Sequence, residues 1–89
     1  MSKVFLALQA VEESRLIVEA ILEDNPNAEV ENESAMVRIS CEGKLVVKAE
    51  TVSEKIGRDW DPQELQLVLI TLAGNVDEDY DHFTIYWEN

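Results

Sequence analysis

The first apolar block, Lys3-Val4-Phe5-Leu6-Ala7-Leu8, is too short for an ordinary helix and carries β-favouring Val and Phe, so it predicts a well-covered strand. From Val11 the period lengthens. Val11, Ser14, Val18 and Ile21 recur at helical spacing, Ile17 and Leu22 widen the stripe, and Glu12, Arg15, Glu19 and Glu23 line the opposite side. This pattern predicts one long amphipathic helix. It stops at Asp24-Asn25-Pro26, because the residue before a proline is pushed out of the α region and proline has no N–H to give to the next turn.

Period two then takes over. Ala35, Val37, Ile39 and Cys41 alternate with Met36, Arg38 and Ser40; after Gly43, Leu45, Val47 and Ala49 alternate with Lys44, Val46 and Lys48. The Glu42-Gly43 turn predicts that these two strands pair as an antiparallel hairpin. A shorter extended piece, Ala28 to Glu31, leads in, and Asn32 to Ser34 form a bend. Thr51-Val52-Ser53-Glu54 has capping-box spacing and predicts a short helix ending at Gly57. Asp61-Pro62-Gln63-Glu64 repeats the signal with proline at the first helical position, where its missing N–H costs nothing. Only Gln66 and Thr71 interrupt the run from Leu65 to Leu72; its latter part predicts a strand ended by Gly74-Asn75, with helix as the competing assignment. Phe83, Ile85 and Trp87 alternate with Thr84, Tyr86 and Glu88, a terminal strand expected to return antiparallel to that run. The expected fold class is α+β: an antiparallel sheet packed with one long and one or two short helices, in a single domain over residues 1–89.

Charge narrows the functional classes. Nineteen acids against seven Lys or Arg give a net charge of −12, which leaves little with which to displace counterions from a nucleic acid or to meet an anionic membrane. No stretch approaches the roughly 18 apolar residues of a membrane helix. Met1-Ser2-Lys3 runs straight into the first strand, so a cytoplasmic protein is expected. The single Cys41 excludes an internal disulfide and a thiolate metal site, and its phase with Val37 and Ile39 marks it as a core residue.

Candidate chemistry is sparse. His82 is the sole histidine, so a metal site would rest on carboxylates, and no local spacing joins it to a nucleophile. The cluster Asp77-Glu78-Asp79-Tyr80-Asp81, with Glu88 eleven residues after Asp77, superficially matches a calcium loop. His82, however, occupies the position where that loop needs glycine, and a strand follows where the chain should wrap the ion. A solvated acidic turn, or a patch steering toward a basic partner, fits better. Gly43, Gly57 and Gly74 are scattered at turns, not gathered in a phosphate loop, and Trp60 and Trp87 are assigned to the core. The residues describe a cofactorless acidic module that binds a partner. Two other classes stay open: an acidic decoy occupying a basic nucleic-acid-binding protein, and a small ligand-binding domain with an apolar pocket.

The blocks Asp24-Asn25-Pro26, Ala35-Met36-Val37-Arg38-Ile39, Glu50-Thr51-Val52, Ile56-Gly57-Arg58, Trp60-Asp61 and Gly74-Asn75-Val76-Asp77-Glu78-Asp79 are familiar together. In their order and spacing the chain resembles the regulatory components of bacterial phenol hydroxylases, within the effector, or coupling, family of soluble diiron multicomponent monooxygenases. The likeness runs from Val4 to Asn89. It implies a corner-like α+β fold and a protein with neither metal nor organic cofactor. Such a protein docks on a diiron hydroxylase oligomer, which is fed electrons from NADH by an FAD and iron–sulfur reductase and turns phenol into catechol. It further implies that the segment entering Gly74 faces the hydroxylase, which maps contacts onto Ile70, Thr71, Leu72, Gly74 and Asn75. Strand alternation sets Thr71 opposite to Ile70 and Leu72, so Thr71 and Asn75 are the favoured contacts while Ile70 and Leu72 compete as core residues. The methane branch carries a long N-terminal tail, and this chain, which starts its first strand almost at once, is expected to lack the regulation that depends on one.

Overall fold

The computed structural model describes residues 2–88, and within them Lys3–Gln9 forms β1, whose Val4, Leu6 and Leu8 are fully buried. Strands β2 (Glu29–Asn32), β3 (Met36–Glu42) and β5 (Leu69–Ala73) join it in a four-stranded antiparallel sheet of order β2-β3-β1-β5. Strands β4 (Lys44–Lys48), β6 (Asn75–Glu78) and β7 (His82–Tyr86) form a second sheet of order β4-β7-β6. Helix α1 spans Glu12–Asp24, α2 spans Ala49–Ile56, and a 3-10 helix spans Pro62–Leu67. No helix among the described residues is long and apolar enough to cross a membrane.

One apolar cluster holds both sheets together. It joins Val4, Leu6, Leu8, Val37 and Ile39 of the larger sheet to Leu45, Val47, Phe83 and Ile85 of the smaller, with Ile17, Val18 and Ile21 of α1 and Val52, Trp60 and Leu65 filling the rest. Cys41 lies in this cluster as its phase requires. Helix α1 ends at Asp24 and α2 ends on Gly57, whose φ of 88° accommodates the left-handed cap.

Four local expectations are corrected. The β3–β4 hairpin does not form: Gly43 is the only residue between the strands, too few for a hairpin loop, and the chain passes through it from one sheet into the other. Gly43 instead donates to Ser2 O at 3.1 Å and accepts from the Trp87 N–H at 3.1 Å. Strand β7 returns beside β6 and β4, not beside β5, because Gly74 is a second such crossing and delivers the chain to the smaller sheet. The Thr51 capping box is unused. Helix α2 starts three residues earlier than a Thr51 cap would set it, at Ala49, whose N–H is taken by Asp81 O at 2.9 Å, and Thr51 is buried within the helix. Trp60 is core at 4% exposure, whereas Trp87 stays 41% exposed with its indole N–H donating to Lys3 O.

Candidate partner-binding site

The segment mapped from Ile70 to Asn75 begins on a stiff base. Asp61 Oδ1 accepts from the Gln63 N–H at 2.8 Å and Glu64 reaches back to the Asp61 N–H at 3.0 Å, closing the capping box with Pro62 at its first turn. Arg58 bonds Glu64 at 3.0 Å and Glu13 at 3.1 Å, tying the 3-10 helix to the start of α1. Glu64 is held below its ordinary pKa, first by the Arg58 hydrogen bond and then by the bond from the Asp61 backbone. Buried Leu65 and Val68 anchor the segment from inside, and the Gln9 N–H donates to Val68 O at 2.8 Å.

Strand β5 then departs from simple alternation. Leu8 pairs with Leu69 but Ala7 pairs with Thr71, so one extra residue, Ile70, is accommodated on β5 against a single step of β1. This is a β-bulge, a device that re-aims side chains at sheet edges. Leu69 and Leu72, three residues apart, both pack against the core, while Ile70 at 48% exposure and its neighbour Thr71 both face solvent. The expected opposition of Thr71 to both leucine-like neighbours therefore holds for Leu72 and not for Ile70. Leu67 adds a third exposed residue at the foot of the strand, 73% exposed.

Gly74 ends β5 at φ 135°, and a Cβ placed on it would stand 3.0 Å from Val4 Cγ1 and 3.4 Å from the Tyr86 backbone. This close approach lets the two sheets meet. Asn75, exposed, opens β6 opposite Tyr86.

The free edge of β5 differs in chemistry from the other edges. Strand β2 carries Glu29 and Glu31, β4 carries Lys44 and Lys48, and β6 carries Asp77 and Glu78, whereas Leu69-Ile70-Thr71-Leu72-Ala73 carries no charge. Charged edges repel unwanted strands; an uncharged one is open to a partner.

The acidic cluster has a different construction. His82 Nδ1 lies 2.9 Å from Asp81 and Nε2 lies 3.6 Å from Asp77, and Asp79, Asp81 and His82 bring donor atoms within 4.8 Å of one another. The imidazole is held above its ordinary pKa, first by the Asp81 hydrogen bond and then by Asp77, against an opposing desolvation effect. The calcium-loop geometry is not adopted, since His82–Tyr86 is a strand paired on both sides and cannot wrap an ion. A separate apolar groove of about 540 Å³ between the start of α1 and β2–β3 is lined by Val11, Val18, Val30 and Val37, with Arg15 at its rim bonded to Glu12 and Glu19.

Comparison with known proteins gives these features a context. The chain is 48% identical over 88 residues to the stimulatory component DmpM of phenol 2-monooxygenase from Pseudomonas sp. (strain CF600), covering 99% of this chain and 98% of that one. Its fold matches a chain of a phenol hydroxylase–regulatory protein complex with TM-score 0.93 at 49% identity, over 98% of this chain and 100% of the other. The soluble methane monooxygenase regulatory protein B matches with TM-score 0.77 at 26% identity, over 97% of this chain and 65% of that one. The MmoB/DmpM family matches residues 2–86, so every element from β1 to β7 falls inside it, and the chain belongs to the MmoB/DmpM family.

Proposed function

We propose that this chain is the cofactorless effector subunit of a phenol-hydroxylase-type complex: it binds the diiron hydroxylase and promotes coupled, NADH- and O2-dependent conversion of phenol to catechol, while the hydroxylase performs the chemistry. The observation that carries the reading is end-to-end likeness, 48% identity over 98% of a named stimulatory component together with a TM-score of 0.93 to a chain taken from a hydroxylase complex. The reading assigns the electron supply to an FAD and iron–sulfur reductase and places the system in the cytoplasm, where NADH is available.

An effector changes a larger enzyme only through differential affinity for its states. The bulged, uncharged edge of β5 suits such a role: the strand is paired to β1 on one side, follows directly on the capped 3-10 helix, and offers Ile70 and Thr71 side by side. In this reading Ile70, Thr71 and Asn75 meet the hydroxylase, Leu72 backs them from the core side, and Gly74 sets the angle at which they are presented.

The test is Thr71→Trp. Because Thr71 is exposed on an edge, the melt should shift by no more than about 0.5 kcal/mol, while the fraction of consumed NADH recovered as catechol falls and the fraction lost to peroxide or water rises. Unchanged coupling at saturating effector would move the contact away from β5. Failure of the unmodified chain to raise catechol formation by a phenol hydroxylase would remove the effector assignment itself.

A further inference from the structure

Resting on that assignment, we infer that the contact surface extends from the β5 edge across the outer face of the four-stranded sheet, and that Arg38 there receives a carboxylate of the hydroxylase. Of the chain's seven basic residues, Arg38, Lys44 and Lys48 hold no ion pair among the described residues, and of these three Arg38 alone lies on the larger sheet. In a chain with 19 acids, Lys3, Arg15, Lys55 and Arg58 each hold an ion pair with a carboxylate of the chain. Among the described residues Arg38 is the one arginine without such a partner, although the register sets it directly across from Glu31. Its guanidinium lies instead over the Phe5 ring, 4.9 Å from the centroid, and its Nε is enclosed with no acceptor. A guanidinium stacked on an aromatic face is pre-organised, so its fork can grip a carboxylate with little loss of side-chain freedom.

The surroundings form a platform. Alternation sends Val4, Leu6, Val37 and Ile39 into the core, and the opposite face carries two rows that cross all four strands, Glu29–Ser40–Phe5–Ala73 and Glu31–Arg38–Ala7–Thr71, flanked by the pairs Lys3–Glu42 and Gln9–Met36; Ala7 is fully buried within its row. Away from the β2 edge these rows are small or apolar except for Arg38. Ala7 pairs with both Arg38 and Thr71, so the guanidinium row reaches the contact strand two strand spacings away, about 10 Å. Both therefore fall within one footprint. The fitting partner surface presents Ile70 and Thr71 with an apolar neighbour and, roughly 10 Å further on, an Asp or Glu. That ion pair has the opposite polarity to the rest of this acidic protein. It fixes the docking orientation, since a guanidinium desolvated by docking without its carboxylate is penalised.

The experiment titrates full-length wild type, Arg38→Gln and Arg38→Lys against the hydroxylase component of a phenol hydroxylase, reading stimulated catechol formation, with melts on the same samples and on Glu31→Gln. Arg38→Gln should weaken half-saturation by about 30-fold or more and leave the melt in place, with stimulation recovered at high effector concentration. Arg38→Lys, charged but without the fork, should fall between the two. Half-saturation by Arg38→Gln equal to wild type overturns the proposal. A matching loss of stability in Arg38→Gln and Glu31→Gln overturns it too, because the partner would then be Glu31 of the same chain. If wild type stimulates and Arg38→Gln does not differ, the effector assignment survives and only this face is lost.

Discussion

Replacing Asn25 by alanine removes a clamp that joins helix α1 to the smaller sheet. The Asn25 Nδ2 donates to Ile21 O at 2.8 Å and to Val46 O at 2.7 Å, and its Oδ1 accepts from the Val46 N–H at 3.0 Å. Strand β4 is an edge, and the side-chain amide satisfies both outward backbone groups of Val46 as a neighbouring strand would. Asn25 is 9% exposed, so the bonds are largely shielded from water. At about 1 kcal/mol each, three lost bonds amount to about 3 kcal/mol, with water partly refilling the Val46 positions. A chain of 89 residues has a total stability of roughly 4–13 kcal/mol, so the loss is a large share of it. The melting temperature should drop by at least ~10 °C. Urea unfolding measures the free energy, and hydrogen exchange at the Val46 amide reports the clamp itself, which should exchange far faster in the variant. Asn25→Asp keeps the acceptor for the Val46 N–H but turns oxygen toward two carbonyls, so it should be no milder than alanine. A loss below about 0.5 kcal/mol in Asn25→Ala would refute the clamp.

Gly74→Ala should destabilise by about 2–4 kcal/mol, since it combines a φ that L residues avoid with a Cβ only 3.0 Å from Val4 Cγ1; a melt within error of wild type would show that the two sheets can separate at that crossing. For His82, a folded-state pKa raised above 6.5 means that the fold favours the imidazolium. Its contribution is then fully present below pH of about 6.5 and fades as pH rises through the raised value. The stability gap between wild type and His82→Gln should accordingly be widest on the acid side of neutrality and narrow in alkali, followed by urea titrations at several pH values; a gap that widens with pH would reverse the assignment.

Helix α1 and its end were legible because both signals are local: a 3.6-residue stripe and a proline. The Asp61 capping box was legible for the same reason, and its Asp, Pro and Glu all act as their spacing requires. Pairing partners were not. Alternation in β3 and β4 says which face each strand buries but not which strand lies beside it, and the single residue Gly43 between them was the clue against a hairpin. Strand β6 left no pattern, since all four of its residues are exposed and its order comes from β7. Thr51 had the right spacing for a cap, but the long-range bond from Ala49 to Asp81 O moved the start of α2 upstream of it. At the candidate site, alternation placed Thr71 outward correctly and Ile70 wrongly inward, because a bulge is set by the partner strand and adds a residue that no periodicity announces.

The distribution of charge gives these local features a common logic. Eight of the nineteen acids lie in two groups, Glu12, Glu13, Glu19 and Glu23 on α1 and Asp77 to Asp81 in the β6–β7 hairpin, while Glu29, Glu31 and Glu42 stand toward the β2 side and end of the larger sheet. Their field acts over a Debye length of about 8 Å at physiological ionic strength, so it biases approach and orientation before contact. Close packing has the opposite requirement, because a carboxylate buried without a partner is penalised. In the proposed contact, the edge of β5 and the two rows beside it meet that requirement: Leu69 to Ala73, Phe5 and Ser40 carry no charge, Ala7 is buried, and Arg38 is the exception proposed to receive one carboxylate. Attraction at a distance and fit at contact are thus assigned to different surfaces, which lets the net charge of −12 coexist with an interface able to exclude water.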